Sequence, residues 1–195
     1  MSCTMRSLTR WRPEIPKNDN PHALRLTNAL CKHVSDAAAQ AFADAHPLAK
    51  SADVSKKHRW ACEICAALSA EFDADTAAAI RRDCRCNDGR TMAQQIAGCI
   101  RRAGNLSDGC ALFTQENPYA FLEYVSEHEL IFGYHACVCS CIKRAEGPVP
   151  LMWCKCSCGY AEAMLRQIFG EGVQVELLNS VKAGGTRCEM RVCLP

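Results

Sequence analysis

The chain has 195 residues, of which 49% are hydrophobic and 23% are charged, and its formal net charge at pH 7 is +2. This composition excludes global disorder, and the small charge gives no support for a nucleic-acid partner or a membrane-surface partner. The anomaly is cysteine, with 16 residues.

The first 130 residues are predicted to be helical. Asn20 is a good N-cap and Pro21 suits the first helical position, and the apolar pattern then runs to His46-Pro47. Four further helices are predicted at residues 53–72, 75–83, 91–103 and 118–128. The basic pairs Arg81-Arg82 and Arg101-Arg102 are interpreted as solvated faces of these helices.

The pattern of the remaining residues predicts a sheet with one helix. Strands are predicted at residues 130–142 and 151–156, a helix at 159–169, and a closing hairpin whose turn is at 183–185. The sequence therefore predicts an α+β fold, with a helical N-terminal half followed by a β-β-α-β-β half and a mainly antiparallel sheet.

One domain is predicted over residues 1–195. It comprises a flexible tail at 1–19, a helical part at 20–129 and a cysteine-rich α+β part at 130–195. No apolar run has the length of a signal peptide or a membrane span. We therefore expect a cytoplasmic protein, whose thiols stay reduced.

The most regular cysteine pattern is a pair of triplets, Cys137-Val-Cys139-Ser-Cys141 and Cys154-Lys-Cys156-Ser-Cys158. Side chains at i, i+2 and i+4 of a strand share one face, so each triplet would present three sulfurs together. An antiparallel hairpin turning at Gly147-Pro148 would place the two triplets opposite each other, with Cβ atoms roughly 4.5–5.5 Å apart. Six thiols so arranged predict a soft-metal site holding zinc or an iron–sulfur cluster.

Two other interpretations of the triplets remain open. In one, they form a sulfur-lined core face, because cysteine packs as a small hydrophobic residue. In the other, they perform redox or nucleophilic chemistry, for which Lys155 would lower the pKa of the Cys154 thiol.

A second group of cysteines, Cys62-x2-Cys65 with Cys84-x-Cys86, has a spacing similar to that of a zinc ribbon. Since the first pair lies inside a predicted helix, buried structural cysteines are an equal alternative. These four residues are secondary metal-ligand candidates. His135 is another, because it shares a predicted strand face with the first triplet.

No catalytic residue can be assigned from sequence motifs. The chain has no Gly-rich phosphate loop, no H-E-x-x-H and no Ser-His-Asp arrangement. Whether the protein is an enzyme is therefore left open.

The C-terminal residues, from about 154 to 193, resemble the end of 4-vinyl-reductase-type domains. The residues that carry the resemblance are Cys158-Gly159-Tyr160, Phe169-Gly170, Val173, Val175, Glu176, Gly184-Gly185 and Arg187-Cys188. Similar endings occur in L-2-amino-thiazoline-4-carboxylate hydrolase-like proteins. The whole chain is most similar to cysteine-rich uncharacterised proteins of anaerobic bacteria.

This resemblance implies an α+β fold that encloses a small apolar ligand pocket near Tyr160 and Met164, sometimes with a metal near the cysteines. Related domains often pair, so a homodimer is a candidate assembly. The leading hypothesis is a protein that binds a soft metal and a small-molecule ligand. The alternatives are a hydrolase that uses a cysteine thiolate or metal-bound water, and a non-catalytic sensor with a cysteine-lined core.

Overall fold

The computed structural model describes residues 18–195. The predicted tail at 1–19 lies outside the described residues except for its last two positions, and Cys3 lies outside them as well. Within residues 18–195, every helix is too short or too polar to cross a lipid bilayer.

Six helices precede the sheet. They are α1 Pro21–Leu30, α2 Asp36–Ala45, α3 Val54–Glu71, α4 Ala74–Asp83, α5 Arg90–Ala103 and α6 Leu106–Glu116. Most begin at a side chain that caps a free backbone N–H group. For example, the Asp53 carboxylate accepts a bond of 2.7 Å from Lys56 N at the start of α3. The predictions for α3, α4 and α5 are confirmed to within one or two residues.

Two predictions in this half are wrong. The helix expected from residue 21 to residue 46 is interrupted after Leu30, and α2 starts afresh at the N-cap Ser35. The helix expected at 118–128 is a strand, and the helical turns lie just before it in α6, which the capping residue Asn105 begins.

Four strands form one sheet. They are β1 Ala120–Ser126, β2 Glu129–Tyr134, β3 Gln174–Asn179 and β4 Cys188–Cys193, and helix α7, Lys155–Phe169, connects β2 to β3. All neighbouring strands are antiparallel, in the order β1-β2-β4-β3. The predicted α+β class and the β-β-α-β-β order are confirmed. The sheet begins at Ala120, however, inside the part expected to be helical.

Two hydrophobic cores lie side by side. Helices α1–α4 surround the first core together with the segment 141–153, and the sheet encloses the second with α5, α6 and α7. Cys154 contacts both cores, and α7 crosses α4 so closely that a Cβ on Gly159 would lie 2.0 Å from the Arg82 carbonyl oxygen. The cysteine-rich segments therefore meet at the boundary between the two cores.

Candidate functional site

The predicted hairpin of cysteine triplets does not form. Cys137, Cys139 and Cys141 lie in an irregular loop with turns. The segment expected to be the second strand is a 3-10 helix, Leu151–Cys154, which leads directly into α7. A helix rotates by about 100° per residue, so alternate residues point in nearly opposite directions rather than to one face.

The six thiols consequently have different surroundings. Cys141 is 2% exposed in the first core, and Cys158 is fully buried in the second. Cys154 Sγ lies 3.0 Å from the buried Ser180 Oγ. The prediction that all six thiols share one face is wrong. It requires both triplets to lie in strands, whereas the first lies in a loop and the second in a helical segment.

One cysteine from each triplet remains close to the other. Cys139 and Cys156 line the same cavity, and both pack against the first core. The pKa of Cys156 is raised to about 12, chiefly by burial and further by Cys139, whereas Arg81 opposes the rise. These two thiols therefore lie within electrostatic reach of each other and of Arg81.

Arg81 is the residue around which both cysteine groups converge. Its pKa is the net result of burial, which lowers it, and of nearby sulfurs, which raise it above the usual value. The sulfurs come from α3, the end of α4, the loop and α7, and belong to Cys65, Cys84, Cys139 and Cys156. The expectation that Arg81 lies on a solvated helix face is wrong.

The Arg81 guanidinium has one hydrogen-bonded nitrogen and one without a partner. It is 3% exposed, and one terminal nitrogen donates a bond of 2.7 Å to the Trp153 carbonyl oxygen. The guanidinium carbon lies 4.0 Å from the centroid of the Trp153 ring. The Nε–H group has no hydrogen-bond partner, and Arg81 takes part in none of the ion pairs of residues 18–195. A buried cation without an acidic partner is costly, which makes this position unusual.

The remaining candidate ligands are spread more widely. Cys62 is half-buried on α3, and Cys86 is exposed at the cavity rim. The ring of His135 lies against Phe121, with 5.2 Å between the ring centroids. Across residues 18–195, no three His, Cys, Asp or Glu side chains are grouped so that they could hold one metal ion.

A cavity of about 400 Å³ opens beside Cys139 and Cys156. Its wall is mainly aromatic, apolar and sulfur-containing, and comprises Cys86, Asn87, Met92, Tyr119, Tyr134, Val138, Cys139, Ser140, Cys156, Ser157 and Tyr160. A larger groove of about 560 Å³ is lined mostly by charged side chains, several of which already pair with each other, such as Arg82 with Glu162. The smaller cavity therefore fits an apolar molecule better.

The structure places Tyr160 in the cavity wall but Met164 elsewhere. Met164 is fully buried in the second core and does not line this cavity, so its place beside a ligand stays a prediction. Burial raises the pKa of Tyr160 and, to a larger extent, of Tyr134. Both phenols stay protonated at neutral pH and can donate a hydrogen bond to an acceptor in the cavity.

A family of unknown function, DUF6144, matches residues 25–195. The chain belongs to this family. The DUF6144 match includes Arg81, the cavity wall and every candidate metal ligand. No curated protein matches the chain.

Proposed function

We propose that the protein binds a small, largely apolar molecule in the cavity beside Cys139 and Cys156. The observation that carries the proposal is the cavity itself, which has a mostly apolar wall and a few inward polar groups. Its volume of about 400 Å³ lies within the usual range of small-molecule sites. The resemblance to 4-vinyl-reductase-type domains supports the same kind of site.

The wall suggests what the ligand carries. The two phenols are hydrogen-bond donors at neutral pH, and the thiols of Cys139 and Cys156 are soft and polarisable. We therefore favour an aromatic or unsaturated molecule with one carbonyl or similar acceptor.

A soft metal bound by cysteines is the second part of the proposal. We also propose a cytoplasmic location, in which the 15 described cysteines, all free thiols, would stay reduced.

The experiment is a binding titration with 2-naphthol, whose own fluorescence reports transfer into an apolar site. The parent protein should show saturable binding. Ser140→Trp should abolish it, since the new indole would occupy the cavity mouth, whereas Ser126→Trp, at the exposed end of β1, should leave it intact. Equal binding by both variants would place the probe elsewhere and contradict the proposal.

The hydrolase alternative receives less support. Burial is the first cause that raises the pKa of both Cys154 and Cys156 to about 12. Such thiols are protonated at neutral pH and are therefore weak nucleophiles. A thiazoline-hydrolysis assay on the parent protein and on Cys154→Ala tests this alternative. Turnover that disappears in the variant would favour the hydrolase over a binding protein.

A further inference from the structure

Arg81 carries a buried positive charge that no acidic side chain of residues 18–195 balances. A guanidinium stays ionised in proteins, so Arg81 keeps its positive charge although it is 3% exposed. Its Nε–H lacks an acceptor, and the ion pairs of residues 18–195 do not include it. The groups around it that can become anionic are cysteines. Among the described residues, these thiols are therefore the groups that would supply a balancing negative charge, either as thiolates or as a thiolate–metal complex.

Only some of these cysteines can reach a ligand. Cys84 Sγ donates to the Ile80 carbonyl oxygen at 3.3 Å, and Cys65 is 3% exposed on α3. Cys139 and Cys156, by contrast, line the cavity and so are open to whatever enters it. Of the four cysteines within electrostatic reach of Arg81, the pair that can accept a ligand is therefore Cys139 with Cys156.

We propose that Cys139 and Cys156 bind one copper(I) ion as a two-thiolate complex, with Arg81 as its buried counter-ion. The step moves no electrons, because each thiol releases its proton to solvent and each sulfur donates an electron pair to Cu⁺. Two thiolates and Cu⁺ carry a net charge of −1, which Arg81 neutralises. Its free Nε–H would donate to a bound sulfur, as N–H groups commonly do around metal-bound ligands.

The charge and the ligand number both distinguish copper(I) from zinc and from an iron–sulfur cluster. Zinc with two thiolates is neutral and leaves the Arg81 charge unbalanced. A structural zinc site and an iron–sulfur cluster each need four protein ligands, and a catalytic zinc site needs three, whereas residues 18–195 bring no three His, Cys, Asp or Glu side chains together. Thiolates are preferred ligands of copper(I) as of other soft metals, and copper(I) is stable with only two of them. The inference rests on the proposed cavity only for access to the two sulfurs.

The first test is an anaerobic titration of the full chain with Cu⁺ in competition with the chelator bicinchoninate. One ion per chain should bind more tightly than at all other thiols. Cys139→Ser and Cys156→Ser should each lose this tight site, whereas Cys31→Ser and Cys193→Ser, at exposed positions, should retain it. X-ray absorption of the one-to-one complex should show two sulfur neighbours. Three or more sulfurs, or tight binding by a Cys139→Ser/Cys156→Ser double variant, would overturn the proposal.

The second test removes the counter-ion. Arg81→Met should weaken copper binding by about 10- to 1000-fold, the effect that a nearby opposite charge has on a proton equilibrium. Arg81→Lys keeps the charge and should lose less. Unchanged copper affinity in a folded Arg81→Met protein would contradict the inference. The cysteine variants decide the question if Arg81→Met does not fold.

The two proposals fail in distinguishable ways. Copper binding is measured without an organic ligand, and 2-naphthol binding is measured without copper. If Ser140→Trp loses naphthol binding and keeps copper binding, both the proposed ligand cavity and the proposed copper site are supported. Copper binding that is absent from the parent protein would end only the metal proposal.

Discussion

Gly159 gives the sharpest test of how the two cores are held together. Replacing it by alanine has two opposing effects on stability. Alanine is a better helix former than glycine by about 1 kcal/mol, which would stabilise α7. The new Cβ would, however, lie 2.0 Å from the Arg82 carbonyl oxygen and 2.7 Å from the Arg82 carbonyl carbon. The obstacle is therefore backbone of α4, which cannot rotate away as a side chain can.

The magnitude follows from the distance to be recovered. Ordinary contact begins at 3.4 Å, so α4 and α7 would have to separate by about 1.4 Å, or one of them would have to bend. Overpacking of this kind costs about 1–3 kcal/mol, and a backbone obstacle belongs at the upper end. After the gain in helix propensity, Gly159→Ala should lower the free energy of unfolding by about 2 kcal/mol.

Gly98→Ala is the matched control. Gly98 also lies inside a helix, α5, but no heavy atom lies within 4 Å of a Cβ built there. Only the propensity term remains, so this variant should gain up to about 1 kcal/mol. Urea unfolding followed by circular dichroism in the presence of a reductant measures both. If Gly159→Ala were as stable as the parent protein, the close approach of α4 and α7 would be wrong.

Two predictions concern the buried thiols. Burial raises the pKa of Cys110 to about 11, above the usual value for an unfolded chain of about 8.5. The Cys110 thiol of the unfolded chain therefore ionises first, so its contribution to the free energy of unfolding is complete below about pH 8.5 and is lost as the pH rises towards 11. Urea unfolding at about pH 8 and about pH 10.5 should show a smaller loss of stability in Cys110→Val than in the parent protein. Under native conditions, a thiol reagent should label the exposed Cys31, Cys86 and Cys193 well before Cys99 and Cys158, as read by mass spectrometry of peptides. Equal rates at Cys31 and Cys158 would contradict the burial assigned here.

The helices could be predicted where capping and apolar spacing agree. Asp53 caps α3 and Gly104 ends α5 in a left-handed conformation, and both elements are where the pattern puts them. The strand β1 was missed because its buried residues, such as Phe121 and Leu122, are consecutive rather than alternating. Consecutive apolar residues fit a helix as well as a strand, so tertiary contacts with β2 and α6 decide the outcome.

The cysteine triplets show why a period of two is not sufficient for a strand. The pattern implies one face only if the backbone is extended, and the backbone from Leu151 onwards is helical. In a helix, Cys154 and Cys158 are one turn apart and both contact the second core, while Cys156 packs against the first core, within electrostatic reach of Arg81. The spacing therefore located a cysteine-rich part of the chain correctly, but it did not predict which of these cysteines lie close together.

Arg81 was missed because adjacent arginines usually mark a solvated surface. The sequence contains a signal in its helical spacing, since Arg81 is four residues after the buried Ala77 and three before the buried Cys84. Its neighbour Arg82 does face outwards enough to pair with Glu162 at 2.8 Å. Two adjacent residues of a helix differ in direction by about 100°, so one can be buried while the other is not.

The position of Arg81 and the small size of Gly159 depend on the same crossing. Arg81 lies on α4 and Cys84 directly follows the end of α4, whereas Cys156 lies on α7. The two helices come closest at the backbone of Arg82 and Gly159. A larger residue at position 159 would move Cys156 away from the Arg81 charge as well as strain the fold. The absence of a side chain at Gly159 therefore brings a cysteine of α7 within electrostatic reach of a cation on α4, although 75 residues separate Cys156 from Arg81 along the chain.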